Sequence, residues 1–168
     1  CSSDLLSRHG TAEATALATA AQGLNQRGQA MERAARQSLV LRDAPLRRSF
    51  DDMAVEALTV LDHLQAAGLP AAQTGAWRTH IDAVKALLDA PPDRALDNER
   101  LVAEEFVALE TLHGTMVQTV QDLNTQRNNA LQDEVEQSRR SVTHQVVGAI
   151  VLALVLALIL LAYWVSLR

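Results

Sequence analysis

The chain has 168 residues, 48% of them apolar, and Ala and Leu supply most of this hydrophobicity. With only 2 Trp, 1 Tyr and 2 Phe, few glycines and few β-branched runs, the composition predicts an all-α fold. All 20 acidic residues and 14 of the 15 basic residues precede residue 146, a net charge of −6 that argues against binding to nucleic acid.

The first predicted helix is Ala-rich and extends from about residue 5 to residue 41. Leu17, Leu24 and Met31 recur every seven residues along it and predict one buried face. The helix ends in "RDAP", residues 42–45, because proline suits the first turn of a following helix and disfavours helical geometry in the residue before it.

Charged residues surround this corner, within the sequence "MERAARQSLVLRD". Glu32 and Arg36 are four residues apart, in the order that favours a helical ion pair. Arg33 and Gln37 have the same spacing, one residue further on. Spacing alone favours an ordinary helix end that carries weak surface pairs. The candidate partner-binding residues of the corner are Glu32, Arg33, Arg36, Gln37, Asp43 and Arg48.

Two shorter helices follow, each about 20 residues long and therefore about 30 Å tall. "GLP" at residues 68–70 separates them, and Gly68 suits a helix C-terminal cap. "APPD" at residues 90–93 ends the second of them, and Asp93 can cap the next helix. Their apolar stripes consist of Leu46, Phe50, Met53, Ala57, Leu61 and Leu64, and of Trp77, Ile81, Val84 and Leu88.

The fourth predicted helix is much longer and runs from about residue 94 without Pro or Gly until Gly148. Apolar residues recur along it at alternating spacings of three and four, which is typical of a coiled-coil-like seam. The seam comprises Val102, Phe106, Leu109, His113, Met116, Val120 and Leu123. Four amphipathic helices with short turns predict an up-down-up-down four-helix bundle with long first and last helices.

Residues 146–165 contain no charged residue and read "VVGAIVLALVLALILLAYWV". A helix of this length spans about 30 Å, the thickness of the hydrocarbon core of a bilayer. The sequence therefore predicts that the last helix continues into a transmembrane helix, the alternative being a buried core helix.

The two long helices extend beyond the short ones at the end nearest the predicted span, over about residues 5–22 and 122–140. Two helices alone bury too little surface to be stable there, whereas a second copy would complete a four-helix section. We therefore predict a parallel, two-fold homodimer, the alternative being solvated and frayed helix ends. The candidate transmission seam in this part comprises Asn124, Arg127 and Asn128.

No residue pattern in the chain predicts catalysis, a cofactor or a metal. Glu110 and His113 form one Glu-x-x-His pair, but a dinuclear site in a helix bundle needs two such pairs. The lone cysteine is Cys1, and the sequence contains no Gly-x-Ser-x-Gly, Cys-x-x-Cys-His or Gly-rich phosphate loop. We expect no catalytic residues, no cofactor and no metal site.

The corner "MERAARQSLVLRDAPLRRSFDDM" resembles the first-helix-to-second-helix corner of bacterial sensor histidine kinases of the GlrK/QseE type, and more broadly a CHASE3-like sensory bundle. The matching residues are Glu32, Arg33, Arg36, Gln37, Leu39, Val40, Leu41, Asp43, Leu46, Arg48 and Phe50. The chain departs from that pattern at Ser38, where an aromatic residue is usual, and at Arg42, where Gly is usual.

The resemblance implies a periplasmic sensor domain at residues 1–145, a transmembrane helix at 146–165 in the bacterial inner membrane, and the start of a cytoplasmic linker at 166–168. It also implies a first transmembrane helix before the chain, and a HAMP linker and protein-histidine kinase core after it. The signal would be an envelope lipoprotein or a small ligand at the distal bundle. His144 is not the phosphorylated histidine, because Gln follows it where Glu is expected.

Two other classes of protein fit parts of the same pattern. One is a chemoreceptor ligand-binding bundle, whose output would be a methylated helical hairpin rather than a kinase. The other is a structural protein of the envelope, anchored by a lipid on Cys1 and by the C-terminal span.

Overall fold

The computed structural model describes residues 2–166, and these are helical throughout apart from three short connections. Cys1, which the lipid-anchored alternative requires, and Leu167 and Arg168 of the predicted linker lie outside the described residues. The prediction of an all-α fold is confirmed. The four α-helices, which pack against one another, are α1 Ser2–Leu41, α2 Ala44–Ala66, α3 Ala71–Leu88 and α4 Ala95–Ser166.

The helices end where the sequence signals predict, for identifiable backbone reasons. After α2, Gly68 has a φ of 115°, and the N–H groups of Gly68 and Leu69 donate to the carbonyls of Gln65 and Leu64 at 3.1 and 3.0 Å. This pair of bonds is a Schellman motif, which satisfies carbonyls at the helix end and favours glycine.

The start of the fourth helix differs slightly from the prediction. Asp93 does not cap α4; it lies inside a 3₁₀ turn, Pro92–Arg94, that precedes the helix. Pro91 and Pro92 explain the difference, because two successive prolines preset the backbone for a tight turn and leave the α-helix to begin at Ala95.

All four helices contribute to one aliphatic core. Trp77 and Phe50 are its largest fully buried side chains, and Phe106 is almost fully buried. The other buried apolar side chains are Leu, Ile, Val, Met and Ala. The predicted stripes are buried except for five members that keep part of their surface exposed, namely Leu46, Met53, Leu88, His113 and Leu123. The remaining buried aliphatic members include Leu17, Leu24, Met31, Leu61, Leu64, Ile81, Val84, Val102, Leu109, Met116 and Val120.

Packing is uneven along the two long helices. From Leu17 on α1 and Val120 on α4 toward the corner, side chains are fully buried at regular intervals. On the other side of this level Leu131 is only partly buried, and every described side chain from residue 132 to residue 145 is exposed. Contact between the long helices persists there at Gly10, where an added Cβ would lie 2.9 Å from Leu131 Cδ1.

One helix is long and apolar enough to cross a membrane, judged by length and composition. It is α4, whose side chains from Val146 to Leu161 are all exposed. The boundary predicted between residues 145 and 146 falls inside this helix, with no break in its backbone.

Truncating a core leucine tests how strongly the packed section holds together. Leu61 is fully buried, so Leu61→Ala should lower the free energy of unfolding by about 3 kcal/mol through lost contacts and a residual cavity. Thermal unfolding of the detergent-solubilised chain, followed by circular dichroism, measures the loss. Val55→Ala, on the exposed face of α2, is the matched control and should change stability by less than about 0.5 kcal/mol.

Candidate functional site

The corner brings the end of α1 and the start of α2 beside the connection between α3 and α4. Arg36 pairs with Glu32 at 3.6 Å, as its spacing predicts, and also with Glu99 on α4 at 3.2 Å. All three side chains keep roughly a third to a half of their surface exposed, so solvent screens these pairs and each stabilises the fold only weakly. Their effect is to hold the orientation of α1 against α4.

A second ion-pair cluster joins α2 to the end of α3. Arg47 Nε donates to both carboxylate oxygens of Asp51 at 3.2 Å, and Arg47 Nη1 donates to Asp89 Oδ1 at 2.7 Å. Burial alone would lower the pKa of Arg47, but the hydrogen bonds and charges of Asp89 and Asp51 outweigh it, and the pKa is raised. The Arg47 charge is therefore neutralised locally by two carboxylates.

Arg42 is the one described residue other than glycine with a positive φ, 50°. This left-handed conformation costs roughly 1–2 kcal/mol for a residue with a Cβ. Arg42 Nη2 donates to the carbonyl oxygen of Pro92 at 2.8 Å and thereby ties the two connections together. No carboxylate of the described residues lies within ion-pair distance of it.

A cavity of about 230 Å³ lies between the two connections. Leu39, Leu88 and Pro91 give it apolar walls, while Arg42, Asp43 and the almost fully buried Asn98 add polar groups. The cavity is large enough for a small organic molecule.

Outside this cavity the corner also carries an exposed apolar surface. Val40 and Leu41 at the end of α1 are 64% and 66% exposed, and Leu96 in the first turn of α4 is 84% exposed. Arg33 and Gln37 border a neighbouring depression of about 380 Å³ that Arg36, Glu99, Val40 and Leu41 also line. Exposed apolar side chains bordered by charged ones, as Val40 and Leu41 are here, are the usual composition of a protein-binding surface.

Only some of the corner residues predicted from the sequence form ion pairs in the structure. Glu32 and Arg36 pair with each other, whereas Arg33, Asp43 and Arg48 form no ion pair with any described residue. Arg47 binds Asp51 and Asp89. Sequence reasoning missed the partners Asp89, Pro92 and Glu99, which lie 42 to 63 positions from the arginines that they bind and show no local signal.

The predicted transmission seam lies where the short helices end. Asn124 Nδ2 donates to the carbonyl of Ala14 on α1 at 3.3 Å, and Arg127 Nη2 donates to the carbonyl of Ala67 at 2.5 Å. Arg127 therefore fastens the α2–α3 turn to α4, next to Gly68. Asn128, the third predicted residue, is exposed.

His113 lies on α4 and is partly buried. Burial lowers the pKa from its ordinary value of 6.5, and the nearby charge of Glu110 opposes this effect only in part. Its Nδ1 atom is buried without a hydrogen-bond partner in the described part of the chain. Within residues 2–166, no group of three or more His, Cys, Asp or Glu side chains is placed to hold a metal ion.

Comparisons of the chain with protein-family models, with curated proteins and with solved structures find no match. The functional reading therefore depends on the corner residues, on the packing of the helices and on the character of α4.

Substitutions at Arg42 separate its backbone strain from its hydrogen bond. Arg42→Ala keeps the unfavourable positive φ and loses the bond to Pro92, whereas Arg42→Gly loses the bond but removes the strain. We expect the Gly variant to be more stable than the Ala variant by about 1 kcal/mol, measured by thermal unfolding. Equal stabilities would show that the left-handed conformation carries no cost here.

The lowered pKa of His113 predicts a dependence of stability on pH. As the pH falls below 6.5, the unfolded chain takes up a proton at His113 before the folded chain does, so the free energy of unfolding decreases. His113→Gln should therefore lose less melting temperature than the natural chain between pH 8 and pH 5. Val55→Ala, at an exposed and uncharged position, is the control and should lose as much melting temperature as the natural chain.

Proposed function

We propose that this chain is the periplasmic sensor region and transmembrane helix of a two-component sensor histidine kinase, acting as a homodimer in a bacterial inner membrane. The observation that carries the proposal is the continuity of α4. The same helix contributes Val102, Met116 and Val120 to the core and then continues unbroken into the apolar stretch that ends the described chain. A device that relays packing changes across a membrane requires such a helix.

The exposed stretch from Val146 supports the membrane assignment. Side chains such as Leu152 and Leu160 are 66% and 68% exposed, and no helix of this chain covers them. Exposed apolar surface costs about 25 cal/mol per Å² in water, so the continuous exposed run from Val146 to Leu161 is stable only in another apolar medium. The length of the run fits the hydrocarbon core of a bilayer.

The arrangement of the connections supports an up-down-up-down bundle. The α1–α2 and α3–α4 connections meet at one end, through Arg42 and Pro92, while the α2–α3 turn meets α4 at Arg127. From Ala95 to Val146, α4 rises about 77 Å, so in this proposal the corner is the distal tip of the molecule, far above the membrane surface.

Signals would enter at that distal tip. The exposed Val40, Leu41 and Leu96, together with the unpaired Arg33 and Arg48, favour a protein partner such as an envelope lipoprotein. A small ligand in the cavity between the connections is the second possibility. The described bundle has one tryptophan and two phenylalanines, and all three are packed in its core. The cavity and the neighbouring depression therefore both lack the aromatic lining that is usual for small-molecule sites.

Binding at the tip would favour one of two packings of the dimer, and α4 would deliver the difference to the cytoplasm as a shift or rotation. The coupling is limited to the difference in affinity of the signal for the two packings. The kinase chemistry belongs to the cytoplasmic core that the corner resemblance implies, and the proposal gives this chain only sensing and transmission.

A rigid-helix mechanism is tested by insertions after Leu131 in the natural full-length protein. Two Gly residues there break the stiffness and phase of α4, and autophosphorylation in membrane vesicles should change several-fold. An insertion of seven helix-forming residues there, matched by seven in α1 just before Gly10, which contacts Leu131, keeps both helices continuous and in phase. This control should leave autophosphorylation near its natural level. Normal autophosphorylation of the Gly-Gly variant would contradict rigid transmission, and a natural protein with no autophosphorylation would contradict the kinase assignment.

A further inference from the structure

Below the packed section, α4 carries an uncovered apolar stripe. Val135 and Val142 are 50% and 56% exposed, and Leu131 is partly buried against Gly10 of α1. No other described residue of the chain packs over Val135 or Val142. The described residues of the chain therefore leave this stripe uncovered.

The spacing of this stripe is that of a heptad repeat. Asn128, Leu131, Val135, Ser138 and Val142 follow one another at intervals of three, four, three and four residues, which are the a and d positions of a coiled coil. The two valines fall at a positions, where β-branched residues favour two-stranded coils. Asn128 also falls at an a position, and a single asparagine there selects the dimer and its register.

The charges beside the stripe are complementary to a second copy of the same helix. Glu134 occupies a g position and Arg139 the following e position, and neither forms an ion pair with a described residue of its own chain. In a parallel coil, a g residue of one helix faces the e residue five positions later on the other. On the outer face, by contrast, Glu136 and Arg140 pair with each other at 3.7 Å.

We propose that residues 128–142 of α4 pack in parallel and in register against the same residues of a second copy, with Glu134 of each copy paired to Arg139 of the other. This inference rests on the proposed function for its orientation, since two copies anchored through α4 in one membrane must be parallel there. The inference specifies which residues of α4 form the homodimer contact and which residues of the two copies lie opposite each other.

Disulfide cross-linking of the full chain in membranes tests the stripe. In a Cys1→Ser background, Val135→Cys and Val142→Cys should each cross-link under mild oxidation, since a positions of the two helices face each other. Asp133→Cys and Arg140→Cys, on the opposite face of α4, are the matched controls. We expect their cross-linked fraction to be lower by roughly tenfold, as non-facing positions of a helix pair require.

Charge reversal tests the register. Glu134→Arg and Arg139→Glu each place like charges opposite one another twice in the dimer and should weaken association by roughly tenfold in detergent. The double variant restores both pairs in swapped order and should recover the natural affinity. Glu136→Arg reverses a charge of the outer face and should leave association unchanged.

The outcomes separate this inference from the proposed function. Equal cross-linking on both faces, or a double variant as weak as the single ones, overturns the stripe while a homodimer with another contact stands. A chain that stays monomeric by light scattering and shows no cross-link at any position overturns both the stripe and the homodimer. Neither assay depends on kinase activity, so the kinase assignment is judged separately.

Discussion

The unequal lengths of the four helices determine the rest of this structure. α1 and α4 contain 40 and 72 residues, whereas α2 and α3 contain only 23 and 18. At 1.5 Å per residue, α2 can cover about 34 Å of its long neighbours. Full burial therefore stops near Leu17 and Val120, and the helices beyond that level have too few neighbours to bury their apolar side chains.

Polar contacts secure both ends of the fully packed section. At the corner, Arg42 joins the two connections and Arg47 joins α2 to the end of α3. At the opposite end, Arg127 holds the α2–α3 turn against α4. Individually these contacts are exposed or partly exposed and weak, but they fix which residues of α1, α2 and α3 lie level with which residues of α4.

The fold was largely predictable from sequence because local signals specify it. Leu61, Ile81 and Val102 lie on periodic apolar stripes, and Gly68 and the proline pairs mark the helix ends. The corner was predictable only in part: the Glu32–Arg36 pair follows from spacing, but Glu99 and Asp89 come from distant helices. Such contacts depend on the packed arrangement, which no local pattern encodes. The 3₁₀ turn at Asp93 was missed because a capping residue and a proline-led turn have similar sequences.

The level at which full burial ends also sets different rules for evolutionary change in the two parts of α4. Between Ala95 and Arg127, adding or removing a residue would shift the buried face of α4 relative to the three other helices and would require compensating changes in each. After Arg127, α4 can gain or lose whole heptads while its exposed faces keep their orientation, provided that α1 changes by the same length. The distance from the corner to residue 146 can thus diverge among descendants of this chain in steps of about 10 Å, without any change in the core.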